Sequence, residues 1–338
     1  MSLRIAYLLE STELSGGVKV VLLQAEALAR RGHRVAIVSP DARPKWFPLS
    51  RAHFERSAFR DSAELPRADI RVATFWTTVA PALEGASGPV FHLCQGYEGD
   101  FSFYAASRRE IEDAYRAPAV KLTVSKTLAR VLEEKGFGKA IDVGQAFEPD
   151  GFRPGPERPP GDPPVVLLVG AYEADVKGLP VALAGLSLWR RRGGSFRVRR
   201  VSPLPAGEEE KSWRIVDEYH HRILPERMPF AYRASDVFIG PSRPEEGFGL
   251  PALEALSCGL PCLLSDTPAH REFGRDSAWY FPDGDPNAIA DRLPELFSDE
   301  ARARARLGGP SAAARFSTAK VAERLESAFA DACADRSG

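Results

Sequence analysis

The sequence predicts two successive α/β domains, each wound around a parallel β-sheet. Three observations carry this expectation. Short apolar runs alternate with helical patterns from the start of the chain. A stretch dense in proline and glycine, FRPGPERPPGDPP at 152–164, interrupts the pattern. A fresh apolar strand at Val165–Val169 restarts it. At 338 residues the chain suits two cores better than one. The expected boundaries are a first domain at 1–152, a linker at 153–164, a second domain at 165–315, and a C-terminal helix at 316–338 that crosses back to the first domain.

Within the first domain, Leu3–Leu9 reads as a buried strand and Ser15-Gly16-Gly17 as the turn after it. Val18, Val21, Leu22, Ala25, Leu28 and Ala29 then share one face at helical spacing. Arg30 and Arg31 favour the end of that helix, and Gly32 can cap it. A strand at His33–Ser39 follows. Residues 40–67 are proline-broken and read as a long surface loop. Further strands are expected at Ile70–Phe75, Val90–Gln95, Lys121–Ser125 and Ile141–Gln145. In the second domain a helix follows at about Leu179–Arg192, strands at Asp236–Ile239 and Pro261–Ser265, and a last helix near Thr318–Ala332. Ligands of such sheets bind beyond the carboxyl ends of the strands, so both domains are expected to face a cleft.

Composition narrows the function. Hydrophobic residues at 44% and charged residues at 27% are ordinary for a globular protein, and a net charge of −1 gives no attraction to nucleic acid or to an acidic membrane. The four cysteines form no C-x-x-C pair and no zinc spacing, which fits free thiols in a reducing, cytoplasmic setting. MSLRIAYLLE is too quickly interrupted by charge for a signal peptide, and no apolar run reaches the roughly 20 residues of a membrane span. At most a peripheral membrane contact is expected.

The densest chemical signal is PSRPEEGFGLPALEALSCGLPCLLSD at 241–266. Its strand ends at Gly240, and a helix starts near Leu250 or Pro251, with Leu250, Leu253 and Leu256 as a buried stripe and Gly259 closing it. Gly247 and Gly249 let backbone approach a ligand, and the amides at the helix start suit a diphosphate. Glu246 and Glu254 can address one ligand at two depths, because carboxylates accept from vicinal hydroxyls. A sugar and a ribose joined by a diphosphate is the ligand that fits.

With VSKTLARVLEEKGF (124–137), VGAYEADVKG (169–178), Glu272 and FPDGDPNAIADRL (281–293), this block resembles the E-x7-E signature of retaining GT-B glycosyltransferases, family 4 (glycosyl transferases group 1). The resemblance implies the GT-B fold, α/β with two Rossmann-like domains facing a central cleft. It implies a hexosyl- or deoxyhexosyltransferase that takes a nucleoside-diphosphate sugar of UDP, GDP or dTDP type. The acceptor would be a carbohydrate, a lipid-linked or a small molecule, and no metal or other cofactor is expected. By resemblance Glu254 holds the ribose, Glu246 accepts from the donor sugar, and Gly247, Phe248, Gly249 and Leu250 touch sugar and diphosphate. Lys177 matches the phosphate-binding lysine, Gly16 and Gly17 the N-terminal turn over the diphosphate, and Glu272 a glutamate near the donor. Glu246, Lys177 and Gln95 are the catalytic candidates.

The sequence also departs from the family. Ala171 stands where an arginine usually contacts the diphosphate, and Arg243 is the candidate replacement, against a plain surface role. Gln95 takes the place of a frequent histidine, and Gln145-Ala146-Phe147-Glu148 that of Asn-Gly-Val-Asp. His92 reads as a satisfied core histidine, and Asp283-Gly284-Asp285 as a turn with an N-cap and no metal. The arginines at 190–192, 197, 199 and 200 read as a solvated run, with an anionic acceptor or lipid surface as the alternative. Tyr97, Glu98, Asp100, Phe101 and Tyr104 are candidates for acceptor or sugar contact, against packing into the core. Rival readings are a GT-B-shaped sugar-nucleotide epimerase or hydrolase, a non-catalytic sugar-nucleotide binder, and an NAD-dependent oxidoreductase with Asp41 on the ribose.

Overall fold

The computed structural model describes residues 2–59, 64–157, 159 and 162–334. The part of the expected loop at 60–63, linker positions 158, 160 and 161, and the end of the C-terminal helix at 335–338 lie outside them. The chain divides into two compact units, one of Met1–Phe147 with Phe316–Gly338 and the other of Glu148–Arg315. The division falls five residues before the expected boundary at 152. Phe152 explains it: the ring is buried beside Tyr232, and the Phe152 carbonyl accepts from Ser257 Oγ at 2.6 Å.

The first unit is a seven-stranded parallel sheet. Its strands are β1 (Arg4–Leu8), β2 (Arg34–Ser39), β3 (His53–Arg56), β4 (Ile70–Ala73), β5 (Val90–Cys94), β6 (Val120–Thr123) and β7 (Ala140–Asp142), ordered β3-β2-β1-β4-β5-β6-β7. The central strands β1 and β4 read as buried apolar runs because helices cover both faces of a parallel sheet. Strand β3 corrects the reading of 40–67 as loop. Its sequence, HFER, has one neighbour and no buried residue, so no apolar run announced it. The helix Thr318–Ala334 packs here: Phe329 meets Phe91 with ring centroids 4.9 Å apart, and Glu326 pairs with Arg31 at 2.7 Å.

The expected turn at 15–17 is also corrected. Ser15 is the N-cap of a helix Gly16–Arg30, its side chain accepting from Val18 N at 3.2 Å, and neither glycine has a positive φ. Gly16 and Gly17 are the first helical turn because a capping serine satisfies the orphan amides that a following loop would leave open.

The second unit is a six-stranded parallel sheet of β8 (Val165–Val169), β9 (Arg197–Ser202), β10 (Glu218–His221), β11 (Val237–Gly240), β12 (Cys262–Ser265) and β13 (Trp279–Phe281), ordered β10-β9-β8-β11-β12-β13. Its core gathers Val166, Leu168, Leu183, Leu186, Ile239, Leu263 and Leu293, all fully buried and each contributing about 1.5–3 kcal/mol. The arginine run divides: Arg191, Arg192 and Arg197 are exposed, as a solvated run should be, whereas Arg200 is buried. Arg200 sits in β9 at 0% exposure, donating to Glu210 at 2.6 Å and to the carbonyls of Leu168 and Gly170 at 3.1 and 3.0 Å. Arg190 pairs with Asp217, Arg192 with Asp291, and Arg197 and Arg199 with Glu218. Of these cations Arg200 is the one satisfied internally, by Glu210 and two carbonyls.

Candidate active site

In the second unit, two loops at the carboxyl ends of the paired strands β8 and β11 build the candidate site. The first runs through a single 3-10 turn, Asp175–Lys177, and Gly178 into the helix Leu179–Arg191. The second runs from Pro241 through Gly249 into the helix Leu250–Ser257. Arg243 N donates to Val176 O at 2.9 Å and ties the loops together. Gly178 makes this closeness possible: it has φ +60, and a Cβ there would lie 2.0 Å from the Pro241 carbonyl.

That closeness brings Lys177 and Glu246 together as an ion pair. Burial pushes the Glu246 carboxyl up, but the Lys177 ammonium outweighs it, with help from Ser242 and His270, and the pKa ends below the usual range. The other carboxylate oxygen, Oε2, is buried with no hydrogen-bond partner among the described residues. An ionised, unsatisfied oxygen of this kind suits a ligand hydroxyl, because leaving it unpaired is costly.

The helix Leu250–Ser257 starts after Gly249, which is left-handed with φ +95 and leaves 3.0 Å between an added Cβ and His270 Nε2. Phe248 is buried and stacked on Phe273 at 5.0 Å. Gly247 is buried and Leu250 only half-buried, so Ala252, Leu253 and Leu256 rather than Leu250 form the buried stripe. Glu254 lies one turn deeper, 5% exposed, and accepts from Tyr232 Oη at 2.9 Å. Glu272 is half-buried on the helix Pro268–Gly274. Arg243 is exposed, 3.9 Å from Glu245.

Sequence reasoning missed Ser265 and His270. His270 is buried, its Nδ1 2.9 Å from Ser265 O and 3.1 Å from Ser265 Oγ, while Ser265 Oγ donates to Ser242 O behind Glu246. The available signal was the serine at the end of β12 followed five residues later by a histidine. Asp285 accepts from Asn287 N and Ala288 N at 2.9 and 3.1 Å, the N-cap of Pro286–Leu296.

The first unit places a second cavity of about 370 Å³ at the carboxyl ends of β1, β4 and β5. Gly17 and Gln95 meet in its wall: Gln95 Nε2 donates to Gly17 O at 3.1 Å, and a Cβ on Gly17 would stand 3.3 Å from that nitrogen. Gly16 is exposed at the helix start. The aromatic-acidic segment divides between its two readings. Tyr97 packs into the core against Tyr115 and Phe137, and Asp100 pairs with Lys135 at 2.9 Å. Glu98, Phe101 and Tyr104 line the cavity. Asp41 is clasped locally by Ser11 Oγ and Thr12 N at 2.8 and 3.0 Å.

His92 is buried as expected but not satisfied. Neither ring nitrogen has a hydrogen-bond partner among the described residues, and the ring stands edge-on to Tyr115 at 4.7 Å. Burial, with Lys121 nearby, pushes its pKa down to about 3, so it is neutral. The edge-on ring of Tyr115 gives it aromatic packing instead of a hydrogen bond.

Two successive α/β units, each on a parallel sheet, are the make-up of the GT-B fold. Residues 163–299 match the family model described as Glycosyl transferases group 1. The chain is 26% identical over 356 residues to the phosphatidyl-myo-inositol mannosyltransferase of Mycobacterium leprae, covering 93% of each chain. Over 101 residues it is 31% identical to the O-antigen chain mannosyltransferase B of Escherichia coli, a match that takes in 28% of this chain and 26% of that protein. Among solved structures it is similar to Anabaena Alr3699/HepE in complex with UDP-glucose, with a TM-score of 0.77 at 13% identity, covering 97% of this chain and 100% of that one. Over residues 163–299 the chain is similar to the group 1 glycosyltransferases, and over its length it has the GT-B fold. It is a glycosyltransferase.

Proposed function

We propose that this enzyme transfers a hexosyl or deoxyhexosyl group from a UDP-, GDP- or dTDP-sugar to a hydroxyl acceptor with retention of anomeric configuration. The observation that carries the reading is the Lys177–Glu246 pair, with one buried Glu246 oxygen left for a ligand. In this reading the second unit takes the donor and the first unit the acceptor.

Glu246 accepts from donor-sugar hydroxyls and Glu254, oriented by Tyr232, takes the ribose. Backbone of Gly247–Leu250 and the helix start meet the diphosphate. Lys177 sits between sugar and phosphate, holding Glu246 ionised while offering its charge to the leaving group. Arg243 supplies the cation that Ala171 lacks, reaching from an exposed loop. Glu272 lies near the donor, and Gly16, Gly17 and Gln95 serve the diphosphate and the reacting centre. In the transfer the bond from the anomeric carbon to the leaving phosphate oxygen breaks, the acceptor oxygen bonds to the same face, and its proton passes to the departing diphosphate. No metal is called on. A cytoplasmic location with at most peripheral membrane contact belongs to the same proposal; among the described residues no helix is long and apolar enough to cross a membrane.

Support for a nucleoside-diphosphate donor comes from the Anabaena structure, which holds UDP-glucose. The test of stereochemistry is proton NMR of the transfer product. The anomeric coupling of the new linkage should match that of the donor, and an inverted linkage would contradict retention.

A further inference from the structure

The first unit has another cavity, of about 410 Å³, at the amino ends of β1, β2 and β3. It stands at the opposite end of β1 from the cavity walled by Gly17 and Gln95, and shares no lining residue with it. Strand alternation shapes it. Arg4 is in register with Arg34, Ala6 with Ala36, and Ala36 in turn with His53. Side chains two apart along a strand share a face, so two arginines, a histidine and two alanines fall on one side of the sheet. Further along, Leu8 and Val38 fill that face with apolar core, whereas Ala6 and Ala36 are too small to do so. Arg51, before β3, and Arg67, before β4, complete the wall.

The charge of this cavity is not balanced from within. Arg4 pairs with Asp69 at 2.6 Å and His33 with Glu326 at 3.0 Å. Arg34, Arg51 and Arg67 are exposed and have no ion-pair partner among the described residues. The carboxylate in the lining is Glu55, 3.7 Å from His53. In the second unit, by contrast, Arg190, Arg192, Arg197, Arg199 and Arg200 each meet a carboxylate. Three guanidinium groups around one concavity repel one another, and a bound anion removes that cost. The backbone that carries one of them is pinned: Glu26, buried on the helix Gly16–Arg30, accepts from the amides of Ser50, Arg51 and Ala52 at 2.8, 2.9 and 3.0 Å.

We propose that this cavity is an anion site for a small soluble molecule carrying a phosphate group, separate from the donor site. Guanidinium forks match pairs of phosphate oxygens, and a phosphate monoester brings about −1.5 to −2 charges to meet them. The volume lies within the range of small-molecule sites, about 300–1,000 Å³. A lipid surface fits less well, because membrane contact needs apolar anchors beside the charge. The large apolar side chains exposed among the described residues are Phe103, Ile141, Leu204, Leu224, Phe230 and Leu307, and none of them lines the cavity.

The test labels the full chain with phenylglyoxal, which modifies accessible arginines, and reads each position by mass spectrometry. The probes are sn-glycerol 3-phosphate and inorganic pyrophosphate, with glycerol and sodium chloride of matched ionic strength as controls. Both phosphates should protect Arg34, Arg51 and Arg67 together, with one saturation curve, and leave the exposed Arg109 and Arg130 unprotected. Arg34→Gln and Arg51→Gln should each weaken the affinity read at Arg67 about tenfold, and the double variant should abolish it. An unchanged thermal midpoint shows that these surface variants are folded. The proposal is overturned if sodium chloride protects as well as the phosphates, if protection extends equally to Arg109 and Arg130, or if the double variant keeps the parent affinity. Protection by vesicles of phosphatidic acid in phosphatidylcholine, with none from the soluble phosphates, overturns it in favour of a membrane contact.

Discussion

The two units handle buried charge in opposite ways. In the second, the buried carboxylates and the buried arginine have a counter-charge or a donor: Glu246 has Lys177, Glu254 has Tyr232, and Arg200 has Glu210. In the first, Glu98, His92, Cys94 and Tyr115 are buried together with Lys121 beside His92 and Cys94, and burial pushes each of the four toward its neutral form. The contrast separates two tasks. A site that meets a diphosphate keeps fixed charges ready, whereas the buried groups around β5 rest neutral, with Glu98 alone placed near 7.

The largest effect is expected where the contrast is broken on the charged side. Lys177→Ala should slow transfer about 100- to 1,000-fold, since it removes a charge aimed at the leaving group. Glu246, left buried without its partner, should rise in pKa, so the residual rate should depend on pH where the parent rate does not. Steady-state kinetics across pH checks both statements, and a variant with full activity would remove Lys177 from the mechanism.

A smaller effect tests the neutral side. His92 has its pKa lowered to about 3, while an unfolded chain takes up that proton near 6.5. The folded pKa is depressed, so the stability is present above the unfolded value and is lost as the pH falls through that window, by ~2 kcal/mol at about pH 5. Denaturant midpoints at neutral and mildly acidic pH should diverge for the parent chain and converge for His92→Leu. Equal acid sensitivity in the two would assign the loss to other groups.

Much of this was legible in the sequence because it rests on short-range rules. Val165–Val169 is continuously apolar, as a doubly covered strand must be, and the block from Pro241 to Asp266 spells strand, glycine loop and helix in order. What was not legible depends on neighbours distant in the chain. Strand β3 is identified by its pairing with β2, not by its four residues. Gly16 and Gly17 read as a turn until Ser15 is seen to cap them. Arg200 looks like surface charge until Glu210 and two carbonyls are found around it. The Lys177–Glu246 pair spans 69 positions, so both residues could be named from sequence but not their contact.

The central claim is that the second unit binds the nucleoside diphosphate through the Glu246–Glu254 block. The most direct measurement is a thermal-shift titration of the parent and of Glu254→Ala with UDP, GDP and dTDP. One base should stabilise the parent by RT ln(1 + [L]/Kd), ~2.7 kcal/mol at a hundredfold excess over Kd, and Glu254→Ala should lose most of that stabilisation. A parent that responds to none of the three, or a Glu254→Ala chain that responds as fully as the parent, would contradict it.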